Sequence, residues 1–322
     1  MKKKVFLTRI LHDFALKKLK KRYQIEIHSG KIPIPKAKLR SKIKEVDGLI
    51  CFPYDKIDKE MIDCAQNLKV ISTYSVGFDH IDTEYAKEKK IRVGYTPEVL
   101  TDATADLAFS LLMDISRRVT EGDRIIRDGK WKEIYGAFDY VGIDLHGKTI
   151  GILGLGRIGS TLAKRAKAFD MKIIYHNRKR ISKTREKSLN AKFVSFEKLV
   201  SQSDFISVHV PHTKETDKLF DMKIFKKMKN TAFLINTSRG KVINEKDLVA
   251  ALKNGIISGA GLDVFEEEPI SKKHPFVKLP NIVLAPHIGS SSKETRSKMA
   301  EITVKNLELG MTGKKPIYSV GF

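Results

Sequence analysis

An arginine and a histidine in the second half of the chain each stand just beyond a strand-like run: Arg239 after Thr231–Asn236, and His287 after Asn281–Ala285. Ligands of parallel α/β sheets bind at the carboxyl ends of the strands. A guanidinium placed there can hold a carboxylate and a carbonyl oxygen in one fork, and it stays charged at every relevant pH. An imidazole titrates near neutrality, so it can give a proton in one direction and take it back in the other. Between the two in sequence lie three adjacent carboxylates, Glu266, Glu267 and Glu268. A carboxylate bonded to an imidazole favours the charged ring. Each residue also has a plainer reading. Most arginines make surface ion pairs, most histidines are ordinary polar residues, and most acidic runs are solvated turns.

A second constellation is less ambiguous. The stretch KTIGILGLGRIGS, Lys148–Ser160, places Gly154, Gly156 and Gly159 in the spacing G-x-G-x-x-G. A β-branched run precedes it, and Ile158, Leu162, Ala166 and Phe169 continue it with helical spacing. The first glycine turns the chain sharply out of the strand. The second leaves room for a pyrophosphate against bare backbone, and the third lets helix and strand pack closely. Free N–H groups and the positive end of the helix dipole then face the phosphates. A second strand, Met171–Tyr175, completes the unit the motif requires, and the stretch reads as a dinucleotide-binding turn.

These side chains need elements to hold them. Strand patterns at Val5–Leu7, Ile25–Ile27, Leu49–Phe52, Val70–Thr73 and Arg92–Gly94 alternate with helical stretches around Leu11–Lys20, Lys36–Lys44 and Lys59–Gln66. Such alternation predicts a parallel sheet covered on both faces, here with no phosphate loop of its own. A long helix over Thr101–Arg118 leads into a second domain of about six strands: Lys148–Leu153, Met171–Tyr175, Phe205–His209, Thr231–Asn236, Ser258–Leu262 and Asn281–Ala285. Ser195 is expected to cap a short helix over Phe196–Ser201, and Asn244 to start one that Gly255 ends. A final helix over Ser291–Leu309 can return to the first domain. The fold class is thus α/β, with two doubly wound parallel-sheet domains.

Composition narrows the function. At 322 residues, 41% hydrophobic and 31% charged, the chain has the profile of a globular protein with two domains. No apolar run approaches a membrane span, and the basic start MKKKVFLTR breaks too soon for a signal peptide. Cys51 and Cys64 sit in no metal or redox motif, which points to a reduced, cytoplasmic protein without a metal. The formal net charge of +23 attracts anions, but the basic residues are scattered and no nucleic-acid motif accompanies them. Neither nucleic acid nor membrane is an expected partner.

With these blocks laid out, the chain resembles the D-isomer-specific 2-hydroxyacid dehydrogenases over nearly its whole length. The resemblance is carried by YSVGFDHID (Tyr74–Asp82), GILGLGRIG (Gly151–Gly159), INTSRG (Ile235–Gly240), GAGLDVFEEEP (Gly259–Pro269) and APHIGS (Ala285–Ser290). STYSVGFDH and YHNRKR make it most similar to the glyoxylate/hydroxypyruvate reductases within that family. The resemblance implies a flavodoxin-like substrate (lid) domain from residues 1–99 and 290–322, closing on a Rossmann-type dinucleotide domain from residues 100–289. It implies a homodimer formed largely through the dinucleotide domains. Arg239 would orient the carboxylate and ketone of a small 2-oxo acid, and His287 would donate the proton. The family's register selects Glu268 as the partner that raises the histidine's pKa. Val76 and Gly77 match the loop whose N–H groups receive the substrate carboxylate. Arg157 and Ile158 belong to the phosphate turn, Val210 and Pro211 pass near a ribose, and Thr104, Thr237 and Asp263 match positions around the nicotinamide.

Cofactor choice follows from charge. NAD-preferring folds end the second strand with an Asp or Glu that accepts from the ribose 2′-hydroxyl. That position reads Asn177 here, followed by Arg178, Lys179 and Arg180, so NADP(H) is the expected cofactor and NAD(H) the alternative. Two features depart from the family. His212 replaces the usual leucine after Val210-Pro211. Trp131 and Tyr135 lie in a segment that can reach across a dimer toward the substrate pocket. The competing activity is a 2-ketogluconate or related D-2-hydroxyacid dehydrogenase using the same three residues. More remote is a dinucleotide-sensing, corepressor-like binding protein, since fold alone does not fix function.

Overall fold

The computed structural model describes residues 2–321. From Lys4 the chain runs β1 (Lys4–Leu7), α1 (Asp13–Arg22), β2 (Gln24–Ile27), α2 (Lys36–Ile43), β3 (Gly48–Cys51), α3 (Lys59–Asp63), β4 (Val70–Thr73), α4 (Thr83–Glu88) and β5 (Arg92–Gly94). Next come α5 (Thr101–Arg117), α6 (Val119–Arg127), β6 (Thr149–Leu153), α7 (Arg157–Ala168), β7 (Lys172–His176), α8 (Lys183–Leu189), β8 (Ala191–Phe193) and α9 (Phe196–Gln202). The remainder is β9 (Phe205–Val208), α10 (Met222–Phe225), β10 (Phe233–Asn236), α11 (Glu245–Lys253), β11 (Gly259–Leu262), β12 (Ile282–Leu284), α12 (Lys293–Met311) and β13 (Ser319–Val320).

The chain divides into two compact units. One holds the described residues up to Leu100 together with those from Ser290 onward; the other is Thr101–Gly289. In the first, the strand order is β13-β5-β4-β3-β1-β2, parallel except for the antiparallel edge strand β13. Its five parallel strands have the flavodoxin-like order 2-1-3-4-5. β3 and β4 are buried at every residue, as strands covered on both faces must be. α12 returns to this unit and packs on β3, β4 and β5.

The second unit has seven parallel strands in the order β12-β11-β10-β9-β6-β7-β8. This is the 3-2-1-4-5-6 order of dinucleotide-binding sheets with one strand added beyond the sixth. The sequence reading of about six strands omits β8, whose three residues with an exposed lysine in the middle carry no recognisable period. Apolar side chains fill both faces. Ile206, Leu234 and Ala260 join Phe220, Leu248 and Phe276 in one core, and Ile150, Ile173 and Ile235 join Ala108, Leu112 and Leu162 in the other.

Side-chain caps fix the helix starts. Ser195 accepts from Lys198 N, Asn244 from Asp247 N and Ser292 from Thr295 N. Among the described residues no helix is long and apolar enough to cross a membrane.

Candidate active site

Three neighbouring strands of the second unit, β10, β11 and β12, deliver Arg239, Asp263 and His287 to the same carboxyl edge of the sheet. The turn carrying Arg239 is built by the buried Asn236. Its Oδ1 accepts from Ser238 N at 2.9 Å and Ser238 Oγ at 2.8 Å, while its Nδ2 donates to Arg239 O at 2.9 Å. Arg239 Nη1 donates to Ser238 O at 2.8 Å, so the guanidinium folds back over its own turn.

His287 has φ +54, a left-handed conformation that costs a non-glycine residue energy unless its surroundings enforce it. Asp263 enforces it. Its two carboxylate oxygens accept from Ile288 N at 2.7 Å and Gly289 N at 2.8 Å, and Thr104 Oγ1 donates to Gly289 O at 3.1 Å. Burial pushes the Asp263 carboxyl up to about 6, against the pull of those N–H groups and of His287. Asp263 and Thr104, expected around the nicotinamide, also clamp the histidine's loop.

The acidic run resolves into three environments. Glu268 Oε2 lies 2.6 Å from His287 Nδ1, and its Oε1 accepts from Phe265 N at 2.9 Å. Glu266 instead exchanges backbone-to-side-chain bonds with Glu245 at the start of α11, and Glu267 is exposed. An ionised carboxylate only accepts, so Nδ1 carries the proton toward Glu268 and Nε2 is the nitrogen turned to other chemistry.

The dinucleotide turn leaves β6, which is separated from β10 by β9 in the same sheet. Gly154 adopts φ +95, where a Cβ would stand 2.8 Å from the His209 carbonyl. At Gly159 a Cβ would stand 2.3 Å from Gly154 O, so only glycine lets α7 lie this close. At Gly156 it would meet nothing within 4 Å, which is the open approach a pyrophosphate requires. Ile158, half-buried, packs its side chain against the core and leaves its backbone at the turn. Thr237, two residues before Arg239, has a buried Oγ1 without a hydrogen-bond partner among the described residues, as suits a hydroxyl meant for a ligand. Val210 flanks Gly154, whose Cβ would lie 3.0 Å from Val210 Cγ1, and Pro211 follows it, exposed. These residues fit a dinucleotide.

Asn177 and the cations after β7 divide their tasks. Asn177 Oδ1 accepts from Leu155 N at 2.6 Å and ties the end of β7 to the glycine turn. Arg178 and Lys179 are exposed and make no ion pair among the described residues. Arg180, read from sequence as a third cation ready for a phosphate, is committed elsewhere. Its Nε and Nη2 donate to the two oxygens of Glu186 at 2.7 and 2.8 Å, and Tyr175 Oη donates to Oε1 at 2.5 Å. Arg180 first and Tyr175 second hold the Glu186 carboxyl down to about 2.

Sequence reasoning missed Arg185, whose guanidinium donates to Gly156 O at 3.2 Å and Ser160 Oγ at 2.7 Å and so braces the glycine turn. Arg157 lines a surface recess beside it with Lys164. His209 was missed as well. Burial pushes its pKa down to about 4, and it pairs neutral with Ser207 Oγ at 2.8 Å. His212 is paired with Asp217 at 2.7 Å.

In the first unit, Val76 and Gly77 follow β4 at the carboxyl edge of its sheet, in a loop pinned by Thr96 N donating to Ser75 O at 2.8 Å.

Residues 109–289 match the model of the D-isomer specific 2-hydroxyacid dehydrogenase NAD binding domain. The chain belongs to the D-isomer-specific 2-hydroxyacid dehydrogenases. It is 49% identical to a glyoxylate reductase of Thermococcus litoralis over 319 residues, 98% of this chain and 96% of the relative. A protein of known structure from Thermus thermophilus superposes with a TM-score of 0.92 at 44% identity, covering 98% of this chain and 99% of the other. An NADPH-dependent glyoxylate/hydroxypyruvate reductase from Sinorhizobium meliloti, in complex with NADP and malonate, superposes with a TM-score of 0.86 at 29% identity and covers 100% and 97%. As a dehydrogenase of this family the chain is an oxidoreductase dependent on NAD or NADP.

Proposed function

We propose that the protein reduces small 2-oxo acids to D-2-hydroxy acids, with glyoxylate and hydroxypyruvate as its substrates and NADP(H) preferred over NAD(H). The 2.6 Å contact between His287 Nδ1 and Glu268 Oε2, beside Arg239 on the same sheet edge, carries this assignment. When bound, the reduced nicotinamide supplies the hydride. Arg239 grips the carboxylate and ketone oxygens of the substrate and favours charge building on the ketone oxygen. His287, oriented by Glu268, passes its Nε2 proton to that oxygen. The N–H groups of Val76 and Gly77 receive the substrate carboxylate. Gly154, Gly156, Arg157, Ile158 and Gly159 hold the pyrophosphate, Thr237 meets the nicotinamide end, and Arg178 and Lys179 meet the 2′-phosphate.

The names of relatives support the substrate class, and Arg178 and Lys179, exposed and without an ion pair among the described residues, support the cofactor preference. The assembly we propose is a homodimer through the second unit, where Trp131, Ile134, Phe138 and Val141 present a run of exposed apolar side chains. Purified protein should oxidise NADPH faster than NADH with glyoxylate and hydroxypyruvate, and more slowly with pyruvate or 2-ketogluconate. No oxidation with any 2-oxo acid refutes the assignment.

A further inference from the structure

Four polar groups in the first unit are strung together beneath the Val76–Gly77 loop. His80 Nε2 lies 3.0 Å from Thr73 Oγ1, Thr73 Oγ1 lies 2.8 Å from Ser75 Oγ, and Ser75 Oγ donates to Gly77 O at 2.5 Å. Thr73 and Ser75 are buried, so no solvent competes for these bonds. Their direction is forced. The Ser75 proton goes to a carbonyl, which can only accept, so Ser75 Oγ must accept from Thr73. Thr73 has then used its one proton and must accept from His80. All three contacts are hydrogen bonds only if His80 carries its proton on Nε2.

The end of the chain of bonds matters most. A carbonyl and the N–H of the same trans peptide point in opposite directions. Holding the Gly77 carbonyl inward, toward Ser75, turns the Phe78 N–H outward and keeps an acceptor lone pair from facing an incoming anion. A released Gly77 carbonyl can rotate and oppose a carboxylate, and glycine offers little resistance to that rotation.

We infer that His80, Thr73 and Ser75 are positioning residues for substrate recognition: a one-way hydrogen-bond chain that locks the Gly77 carbonyl inward so that the loop presents only donors to the substrate carboxylate. This rests on the proposal that the Val76–Gly77 loop receives that carboxylate. None of the three side chains touches the reacting atoms. The chain acts on affinity for the carboxylate, a contact held equally in the ground and transition states.

The test compares Ser75→Ala, His80→Phe and His80→Gln with the parent protein at saturating NADPH over a range of glyoxylate. Glutamine places an amide donor where Nε2 stands, and phenylalanine keeps a ring with no donor. Ser75→Ala and His80→Phe should raise KM for glyoxylate about tenfold, the loss of well-made hydrogen bonds at a buried loop. Their kcat should stay within about twofold of the parent, since uniform binding is what is lost. NADPH affinity, read by fluorescence titration, should not move, and His80→Gln should restore a near-parental KM. Parental KM in both donor-deleting variants overturns the inference, as does a kcat that falls while KM holds, or a His80→Gln no better than His80→Phe. If Ser75→Ala does not fold, the pair at position 80 decides. Amide spectra of the 15N-labelled parent, titrated with oxamate in the presence of NADPH, separate the two layers. Unmoved Val76 and Gly77 signals refute the carboxylate loop itself, whereas moved signals with unchanged KM in the variants refute only the chain beneath it.

Discussion

Glu268→Gln keeps the length and shape of the side chain and removes its charge, and the two bonds that Glu268 makes determine the outcome. Oε1 accepts from Phe265 N at 2.9 Å and Oε2 faces His287 Nδ1 at 2.6 Å. A glutamine has one acceptor oxygen for these two positions. If the oxygen stays with the Phe265 N–H, the amide NH2 points at Nδ1 and the ring must give up its Nδ1 proton. If the amide flips, the NH2 opposes the Phe265 N–H, and a backbone donor goes unsatisfied at a cost of about 1–3 kcal/mol. In the first arrangement the charged ring loses a charge-assisted bond worth about 1.5–3 kcal/mol, and in the second it keeps a bond to a neutral oxygen while the stranded N–H costs a similar amount. At about 1.4 kcal/mol per factor of ten, kcat for glyoxylate reduction should fall roughly tenfold to a hundredfold. Glu268→Ala is the poorer test, because it also strips the Phe265 N–H of its acceptor and mixes fold stability with catalysis. The assay is the initial rate of NADPH oxidation at saturating glyoxylate, with NADPH affinity and thermal unfolding measured alongside. A Glu268→Gln protein that folds, binds NADPH normally and keeps its full turnover refutes the role given to the pair.

Asn177→Asp should weaken NADPH relative to NADH by about 1 kcal/mol or more, because it sets a carboxylate beside the 2′-phosphate position while still accepting from Leu155 N; an unchanged ratio of the two affinities counts against the role of Arg178 and Lys179. Gly156→Ala and Gly159→Ala should separate binding from folding. The first has open space for its methyl group and should lose dinucleotide affinity at an unchanged melting temperature, whereas the second drives a Cβ to 2.3 Å from Gly154 O and should lower the melting temperature by several degrees. Asp263 gives a pH signature. Its carboxyl stands near 3.8 when unfolded and is pushed up to about 6 by burial, so between those values the native state binds more protons than the unfolded one. Stability from this group is complete below 3.8 and is lost as pH rises through about 6, on the order of 3 kcal/mol in all. Urea denaturation of Asp263→Asn across that window should lack this component, and a parallel pH dependence in both proteins argues against it.

The parallel strands and the glycine turn were readable because their patterns are local: buried β-branched runs, and three glycines of fixed spacing between strand and helix. What could not be read depends on where a side chain turns. Arg180 looks in sequence like its neighbours Arg178 and Lys179, yet Glu186, six residues on, draws it back across α8. Asn177 occupies the position expected beside the ribose and turns its oxygen to Leu155 N. Arg185 lies in a polar helix with the signature of an ordinary surface, and only the close approach of α8 to α7 brings it to the glycine turn. Asp263 shows the converse: its position was legible, but its work of holding His287 at φ +54 depends on a backbone conformation that no residue type announces. β13 escaped because two residues make no pattern.

The discontinuous make-up of the first unit bears on how the chain matures during synthesis. The segment Thr101–Gly289 is complete in itself and can condense while later residues are still inside the ribosome. The earlier sheet cannot. β3 and β4 present an apolar face that α12 packs on, and the edge of β5 away from β4 is taken by β13. Until residues 293–320 emerge, this sheet waits with a greasy flank and a bare rim, the state in which nascent chains are captured by chaperones or by one another.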